Sequence, residues 1–433
     1  MPRVLILSHM YPNAVSPLGG IFVRQQAAAL AQLGVGVNVI APVPWVPEMM
    51  AGRGKWGGYP SVPLQEQPDG FPVFHPRVLE FPRSFFFEYY PKTYIMGLRK
   101  VIEKQFQQGI DLIHAHVAHP DGAAALSFAR RFQVPLVVTI HGQDFAYTLN
   151  RSRTCAESVR RTLREAERVI LVSEKLKTQY DLETWAELPA GDNGDPLAKY
   201  RIIYNGVDLD DVVDLPEPGP KPETEPEMGL ELEHEPEPDS GKVGSNGPSR
   251  HRLLTVGFLR PDKGHAVVLK ALPELVREFP DLEYRIVGDG EERQALEALT
   301  NQLNLRRHVV FLGSLPHPEA MREMAKCDVF ILPSWREAFG VVYLEAMAHG
   351  KPIIGTLGEG ISEILAQNDV GLAVPPKDVV AVKNALRELF SNPVRAKNMG
   401  ARGKSLVTRR FTWQYNAQKT LDVYHEAVKS MKI

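Results

Sequence analysis

Short apolar runs alternate with longer amphipathic stretches along this chain, stop, and start again, and that doubled alternation limits the folds open to it. The first series reads Val4 to Ser8, Phe22 to Leu33 at helical spacing, and Val35 to Ala41. It continues with Leu112 to Ala115, the Ala-rich stretch Ala123 to Phe132, Leu136 to Ile140, a helix near 154–167, Val169 to Val172, and Arg201 to Tyr204. Strand-length apolar runs separated by helix-length stretches are the pattern of parallel strands covered on both faces. The second series runs from Leu253 to Phe390, with strands expected at 253–256, 284–287, 309–312, 329–332 and 352–354 and helices between them. The expectation is an α/β fold of two doubly wound domains. Such domains place ligands at the carboxyl ends of their strands, here in a crevice between the two halves.

What separates the two series cannot build a core. From Asp214 to Ser249, prolines such as Pro216, Pro218, Pro222, Pro226, Pro236 and Pro238 alternate with Glu217, Glu223, Glu225, Glu231 and Glu237. Low hydrophobicity, like-charge repulsion and proline favour a solvated, extended segment, read as a spacer or as an acidic docking element for a basic partner. The expected boundaries are 1–205, a junction and insertion at 206–250, and 251–412, with a final helix at 413–433 packing back on the first domain.

Composition narrows the chemistry. With 50 Lys and Arg against 52 Asp and Glu the net charge is -2, so no overall basic excess draws the chain onto nucleic acid, and anion sites must be local. Cys155 and Cys327 are the two cysteines, too few for a disulfide framework or a Cys-rich zinc site. The run Val4 to Leu7 is too short for a signal peptide or a membrane span. These features lead to a cytoplasmic expectation.

The densest motif runs from Pro333 to Pro352, where a strand ends at Leu332, a loop carries Glu337 and Gly340, and a helix begins near Val341. The first N–H groups of that helix lack helical partners and favour an anion, for which a phosphate is the natural guest. Glu345 leans back toward the same place, because helical side chains tilt toward the N-terminus. A carboxylate repels phosphate but accepts from hydroxyls, so Glu337 and Glu345 suit sugar hydroxyls on either side of a diphosphate; two glutamates on a solvated helix face are the plainer reading.

The flanking residues bear on that choice. Glu-x7-Glu within Glu337 to Ile354 closely resembles the signature of the family 4 retaining glycosyltransferases of GT-B fold. Leu18 to Val23 is similar to the family's first glycine loop, Thr139 to Asp144 to its His-Gly-x-Asp element, and Tyr204 to Asp208 to its interdomain junction. Ile286 to Gly290 and Phe311 to Gly313 are similar to its nucleotide-side loops. The resemblance covers nearly the whole chain apart from the acidic insertion. It implies two Rossmann-like domains, with a nucleotide diphosphate sugar as donor and a glycan or lipid-linked acceptor in cell-surface or exopolysaccharide synthesis. As catalytic residues it implies His141, Lys263, Glu337 and Arg260. For donor binding it implies Gly19, Gly20, Gly288, Leu315, Phe339, Gly340, Val341 and Glu345.

No cofactor and no metal are expected, since the resemblance implies a helix dipole with Arg and Lys in place of a cation. Asp208-Leu209-Asp210 matches a bare metal-binding Asp-x-Asp pattern, but its place at the junction reads as a turn cap. Gly400 to Ser405 resembles half a phosphate loop, lacks the leading glycine and is read as helix surface. Val256 to Gly264 departs from the family pattern, because Phe258 stands where an arginine is usual. Arg260 replaces that guanidinium only if the strand continues far enough to put residues 258 and 260 on one side. Phe258 motivates the alternative of a GT-B scaffold without turnover, and a phosphorylase or an epimerase is the remaining one. Arg83 to Lys92, aromatic and flanked by cations, suits a peripheral contact with the inner face of an anionic membrane, or equally packing of the first domain.

Overall fold

Val4 to Leu7 are wholly buried, as a strand covered on both faces requires, and they lie inside the main sheet of the first lobe. The computed structural model describes residues 1–54, 56–178, 197–213 and 251–431; the acidic insertion expected at 214–249 lies outside the described residues. The first lobe contributes β1 (Arg3–Leu7), β2 (Gly36–Ile40), β3 (Val43–Pro44), β4 (Gln65–Glu66), β5 (Val73–Phe74), β6 (Arg77–Val78), β7 (Leu112–His116), β8 (Leu136–Ile140), β9 (Arg168–Leu171) and β10 (Tyr200–Ile202). Eight of these form one sheet in the order β10-β9-β8-β7-β1-β2-β5-β4, and β3 pairs with β6 apart from it. All its pairings are parallel except β4 with β5, which run antiparallel at the edge. That edge departs from the all-parallel expectation. Its strands are two residues long and interleaved with Pro63, Pro72 and Pro76, so no periodicity could announce them.

The second lobe is a six-stranded parallel sheet, ordered β13-β12-β11-β14-β15-β16. Its strands are β11 (Arg252–Val256), β12 (Glu283–Val287), β13 (Val309–Gly313), β14 (Val329–Ile331), β15 (Ile353–Thr356) and β16 (Gly371–Val374). The order steps outward from β11 in both directions, so the carboxyl ends of β11 and β14 flank the point where the winding reverses. The loops that follow these two strands carry Lys263 and Glu337. Both lobes are doubly wound and Rossmann-like, the α/β architecture expected from the sequence.

The helix Trp413–Ser430 belongs to the second half by sequence but packs on the first lobe. Trp413, Ala417, Leu421, Tyr424 and Ala427 join Val4, Ile6, Val23 and Leu30 in one buried cluster. Gln26 donates to Asn416 Oδ1 at 2.6 Å, and Asn416 in turn donates to the Tyr204 carbonyl at 2.7 Å. The crossing is tight. A Cβ at Gly206 would lie 2.4 Å from the Trp413 nitrogen, so only glycine fits there. Among the described residues no helix is long and apolar enough to cross a membrane.

Gly400 and Gly403 are buried rather than on a helix surface. Both lie in the helix Pro393–Arg410, where the Cβ that Gly400 lacks would meet the Gly350 carbonyl at 1.8 Å and that of Gly403 the Met347 side chain at 3.1 Å. The stretch that resembles half a phosphate loop is thus a helix-packing seam against the end of Val341–Ala348.

Candidate active site

Beyond β14 the chain turns through Glu337 and enters the helix Val341–Ala348 at Gly340, whose φ of 83° suits glycine. A Cβ there would lie 2.7 Å from the Tyr343 ring and 3.1 Å from Glu337 Cγ, so its absence lets the helix begin directly beside Glu337. No side chain caps this helix, which leaves its first N–H groups available to an anion. Lys263 arrives from the other loop. Gly264, at φ 78°, brings that loop against the Pro333 carbonyl, closer than any Cβ would permit. The Lys263 Nζ then meets Glu337 Oε2 at 2.5 Å, with both side chains largely buried. At the far end of the site Glu345 is bonded to His317 Nε2 at 3.0 Å. That bond, with the neighbouring carboxylate charge, raises the His317 pKa above its ordinary value. Leu315, two residues before His317, is partly buried and packs against the core cluster that Tyr343, Leu344 and Met347 join.

His141 approaches from the first lobe at the end of β8. Its Nε2 lies 2.9 Å from His116 Nδ1 at the end of β7, and the two rings stack 5.2 Å apart. Phe22, from the helix that Gly19 and Gly20 introduce, packs against the His141 ring at 4.4 Å, tilted by 43°. Burial pushes the His141 pKa down to about 3, so the imidazole is neutral, with its Nε2 engaged by His116. His114 lies tilted against His116 with ring centroids 4.5 Å apart, and is bonded at 2.7 Å both to Tyr424 and to Thr139. A row of three imidazoles thus joins the C-terminal helix to the crevice. Asp144 of the His-Gly-x-Asp element does not face the crevice; it accepts from the Ala118 and His119 N–H groups at 3.0 and 3.2 Å and holds the turn after β7. Burial raises its pKa to about 7.

The two halves of the site touch. Gly142 has φ 103°, and a Cβ on it would stand 2.7 Å from the Ala338 Cβ, so the loops bearing His141 and Glu337 meet with nothing between them. Gly20, at φ 72°, brings its loop against the Met10 carbonyl. Gly288 brings its loop against the Gly257 carbonyl.

Two expected residues sit differently. Phe339 is 2% exposed and packs with Tyr204 and Phe411 at 5.2 and 6.2 Å, so its side chain is turned into the core. Arg260 does not follow from strand alternation, because β11 ends at Val256 and the Arg260 N–H turns back onto the Phe258 carbonyl at 2.9 Å. Its guanidinium forks onto Asp262 at 2.8 and 2.9 Å, and Tyr147 of the first lobe also hydrogen-bonds it. Phe258 itself is 71% exposed. At the junction, Asp208 Oδ1 accepts from the Asp210 N–H at 3.0 Å, a local turn. His116, His317, Lys175 and Glu359 were not singled out from sequence. The last two lie beside Glu337, where Lys175 Nζ reaches the Glu337 carbonyl at 3.2 Å.

Between Trp45 and Lys92 the aromatic residues divide into packed and exposed ones. Phe81, Phe87, Tyr90 and Tyr94 pack on the first lobe, while Phe85 and Phe86 are 60% and 58% exposed. Beside them a groove of about 490 Å³ is lined by Trp45, Trp56, Leu79, Pro82, Arg53 and Arg83.

Known proteins share this architecture. The family described as "Glycosyltransferase Family 4" matches residues 19–211, and "Glycosyl transferases group 1" matches residues 242–406. D-inositol 3-phosphate glycosyltransferase of an Arthrobacter species is 27% identical over 94% of this chain and 90% of its own. Among solved structures, sucrose-phosphate synthase of Thermosynechococcus elongatus superposes with a TM-score of 0.74 at 21% identity, covering 99% of this chain and 100% of its own. Anabaena HepE in complex with UDP superposes with a TM-score of 0.68 at 18% identity, covering 98% and 99%.

Proposed function

The chain belongs to the family 4, group 1 glycosyltransferases, and from that premise we propose that it is a retaining, metal-independent enzyme that moves a sugar from a nucleotide diphosphate sugar to a glycan or lipid-linked acceptor. The observation that carries this reading is the pair Lys263–Glu337 set at the uncapped start of the helix Val341–Ala348, with neutral His141 facing it across the crevice. As the donor's glycosidic bond breaks, negative charge grows on the diphosphate. Lys263 and the helix N–H groups stabilise that charge more in the transition state than in the ground state. They supply what a bound cation supplies elsewhere, so no metal is required.

Glu337 accepts from hydroxyls of the transferred sugar and Glu345 from the ribose, His317 holding Glu345 in place. His141, neutral at physiological pH and with its Nε2 engaged by His116, hydrogen-bonds a sugar or acceptor hydroxyl near the reacting carbon through Nδ1. No carboxylate is assigned as nucleophile. The leaving phosphate receives the acceptor proton on the same face of the sugar, which retains the anomeric configuration. NMR of the product is expected to show the donor's own anomer; the opposite anomer would remove the retaining assignment.

The donor class follows from one measurement. Thermal unfolding with UDP, GDP, ADP and TDP is expected to show one nucleotide raising the wild-type midpoint, since a ligand at 100-fold its Kd stabilises by about 2.7 kcal/mol. UDP leads the panel because HepE was crystallised with it. Glu345→Ala is expected to lose most of the rise. Equal shifts in both proteins would remove the ribose role, and no shift with any nucleotide would remove the donor site.

The acceptor side is supported by the exposed Phe85 and Phe86 beside Arg53 and Arg83, an amphiphilic face suited to a lipid-linked acceptor at the inner surface of a membrane in cell-surface or exopolysaccharide synthesis. Vesicles carrying anionic lipid are expected to co-sediment the wild-type chain several-fold better than a Phe85→Ser, Phe86→Ser variant. Equal sedimentation would leave a soluble glycan as the acceptor.

A further inference from the structure

Glu337 is held by its main chain as well as by its carboxylate, and part of that hold comes from the opposite lobe. Glu359, in the loop after β15, accepts the Glu337 N–H at 2.6 Å. The same carboxylate oxygen is paired with Lys175, whose Nζ also donates to the Glu337 carbonyl at 3.2 Å. Lys175 lies on the short helix Glu174–Thr178 that follows β9 in the first lobe, whereas Glu337 and Glu359 belong to the second. The ammonium and the carboxylate are both largely buried, at 14% and 11% exposure, so this is a desolvated contact rather than a rim pair. A second bond runs alongside it, the Glu174 N–H donating to Glu363 at 3.3 Å.

We infer that Lys175 is a positioning residue that couples closure of the two lobes to the placement of Glu337, and hence to recognition of the transferred sugar. The inference rests on the reading of Glu337 given above. When the lobes part, Lys175 leaves with the first lobe, and Glu359 alone holds the Glu337 main chain. When they close, the Lys175 ammonium meets the Glu337 carbonyl and neutralises Glu359, so the Glu337 carboxylate is presented beside Lys263 in one geometry. Lys175 touches neither the leaving phosphate site at Lys263 nor the ribose side at Glu345, so its effect belongs to turnover and not to nucleotide affinity.

The test uses the full chain and the nucleoside diphosphate found by thermal unfolding. In Lys175→Met, kcat is expected to fall by about 10²-fold, the order of loss expected from a small misplacement of a substrate-orienting group, while nucleoside diphosphate Kd stays within about twofold. Lys175→Arg is expected to recover most of the turnover, because it keeps the charge and a donor. Glu359→Gln, which keeps an acceptor for the Glu337 N–H, is expected to lose activity, and its loss is expected not to add to that of Lys175→Met, as for two members of one network. Unchanged kcat in Lys175→Met, additive losses in the double variant, or a fall in nucleotide affinity matching the fall in kcat would overturn the inference. Absence of transfer by the wild-type chain would instead strike the reading of the site itself. If Lys175→Met does not fold, the Arg and Gln variants carry the same comparison.

Discussion

Lys263→Met is expected to reduce kcat by about 10²–10³-fold at saturating donor and acceptor, the range found when one preorganised group facing developing charge is removed. The cause lies in timing. Before the glycosidic bond breaks, the diphosphate carries charge that the helix N–H groups already meet; the additional charge appears at the bridging oxygen as the sugar leaves, and Lys263 is the ammonium held at that helix start. An interaction that strengthens along the reaction appears in kcat more than in KM. Part of the loss comes from Glu337, whose carboxylate gives up its 2.5 Å partner while remaining largely buried. Arg260→Met supplies the contrast, because the Arg260 guanidinium is forked onto Asp262 and its loss is expected to cost less than tenfold. Steady-state kinetics of both variants, with a thermal midpoint within a few degrees of wild type as the folding control, decide the matter. Wild-type turnover in Lys263→Met would dismiss the leaving-group role, and a larger loss in Arg260→Met would transfer it to Arg260.

The residues that carry this prediction were legible because their neighbours in sequence are their neighbours in space. Glu337, Gly340, Val341 and Glu345 lie on one loop and the helix it opens, and Lys263 and Gly264 lie on another. The strands were legible for the same local reason: Val4 to Leu7 is an uninterrupted apolar run, and Leu136 to Ile140 one broken only by Thr139, because both faces of their sheet are covered. Contacts between distant segments leave no such mark. Lys175 stands 162 positions from Glu337 and 184 from Glu359, and the bond between His114 and Tyr424 spans 310. Nothing in Ser173 to Thr178 distinguishes a cation that reaches across a crevice from one in solvent. His114 and His116 were visible as letters in a strand, but a histidine facing a sheet interior is unremarkable until a second imidazole is found against it. Phe339 shows what reading by motif leaves out, since its side chain packs with Tyr204 and Phe411 in an aromatic cluster. Two-residue strands such as Val73–Phe74 escape because a period of two needs more than two residues to show itself.

Gly288→Ala is expected to destabilise the second lobe by about 2–4 kcal/mol and to abolish nucleotide protection with it. The motif that drew attention to Gly288 associates it with the donor, but the geometry supplies a stricter reason for glycine. Its φ is 139°, and an added Cβ would fall 2.0 Å from the Gly257 carbonyl oxygen. That oxygen is main chain and cannot rotate aside, so the strand ends must separate. They are held where they are by the Gly257 N–H bonded to the Val287 carbonyl at 2.9 Å and the Gly288 N–H bonded to the Gly313 carbonyl at 2.8 Å. Parting them also moves the turn at Phe258 and Leu259, because the Leu259 N–H is bonded to the Asp289 carbonyl at 3.0 Å, and with that turn goes Lys263. One methyl group therefore disturbs both the fold of the lobe and the cation beside Glu337. Thermal unfolding is expected to show a midpoint lowered by several degrees and no response to the nucleotide that protects wild type. A variant with the wild-type midpoint would mean that the loops after β11 and β12 yield easily, and the close approach at Gly288 would then lose its claim to hold the donor end of the crevice in shape.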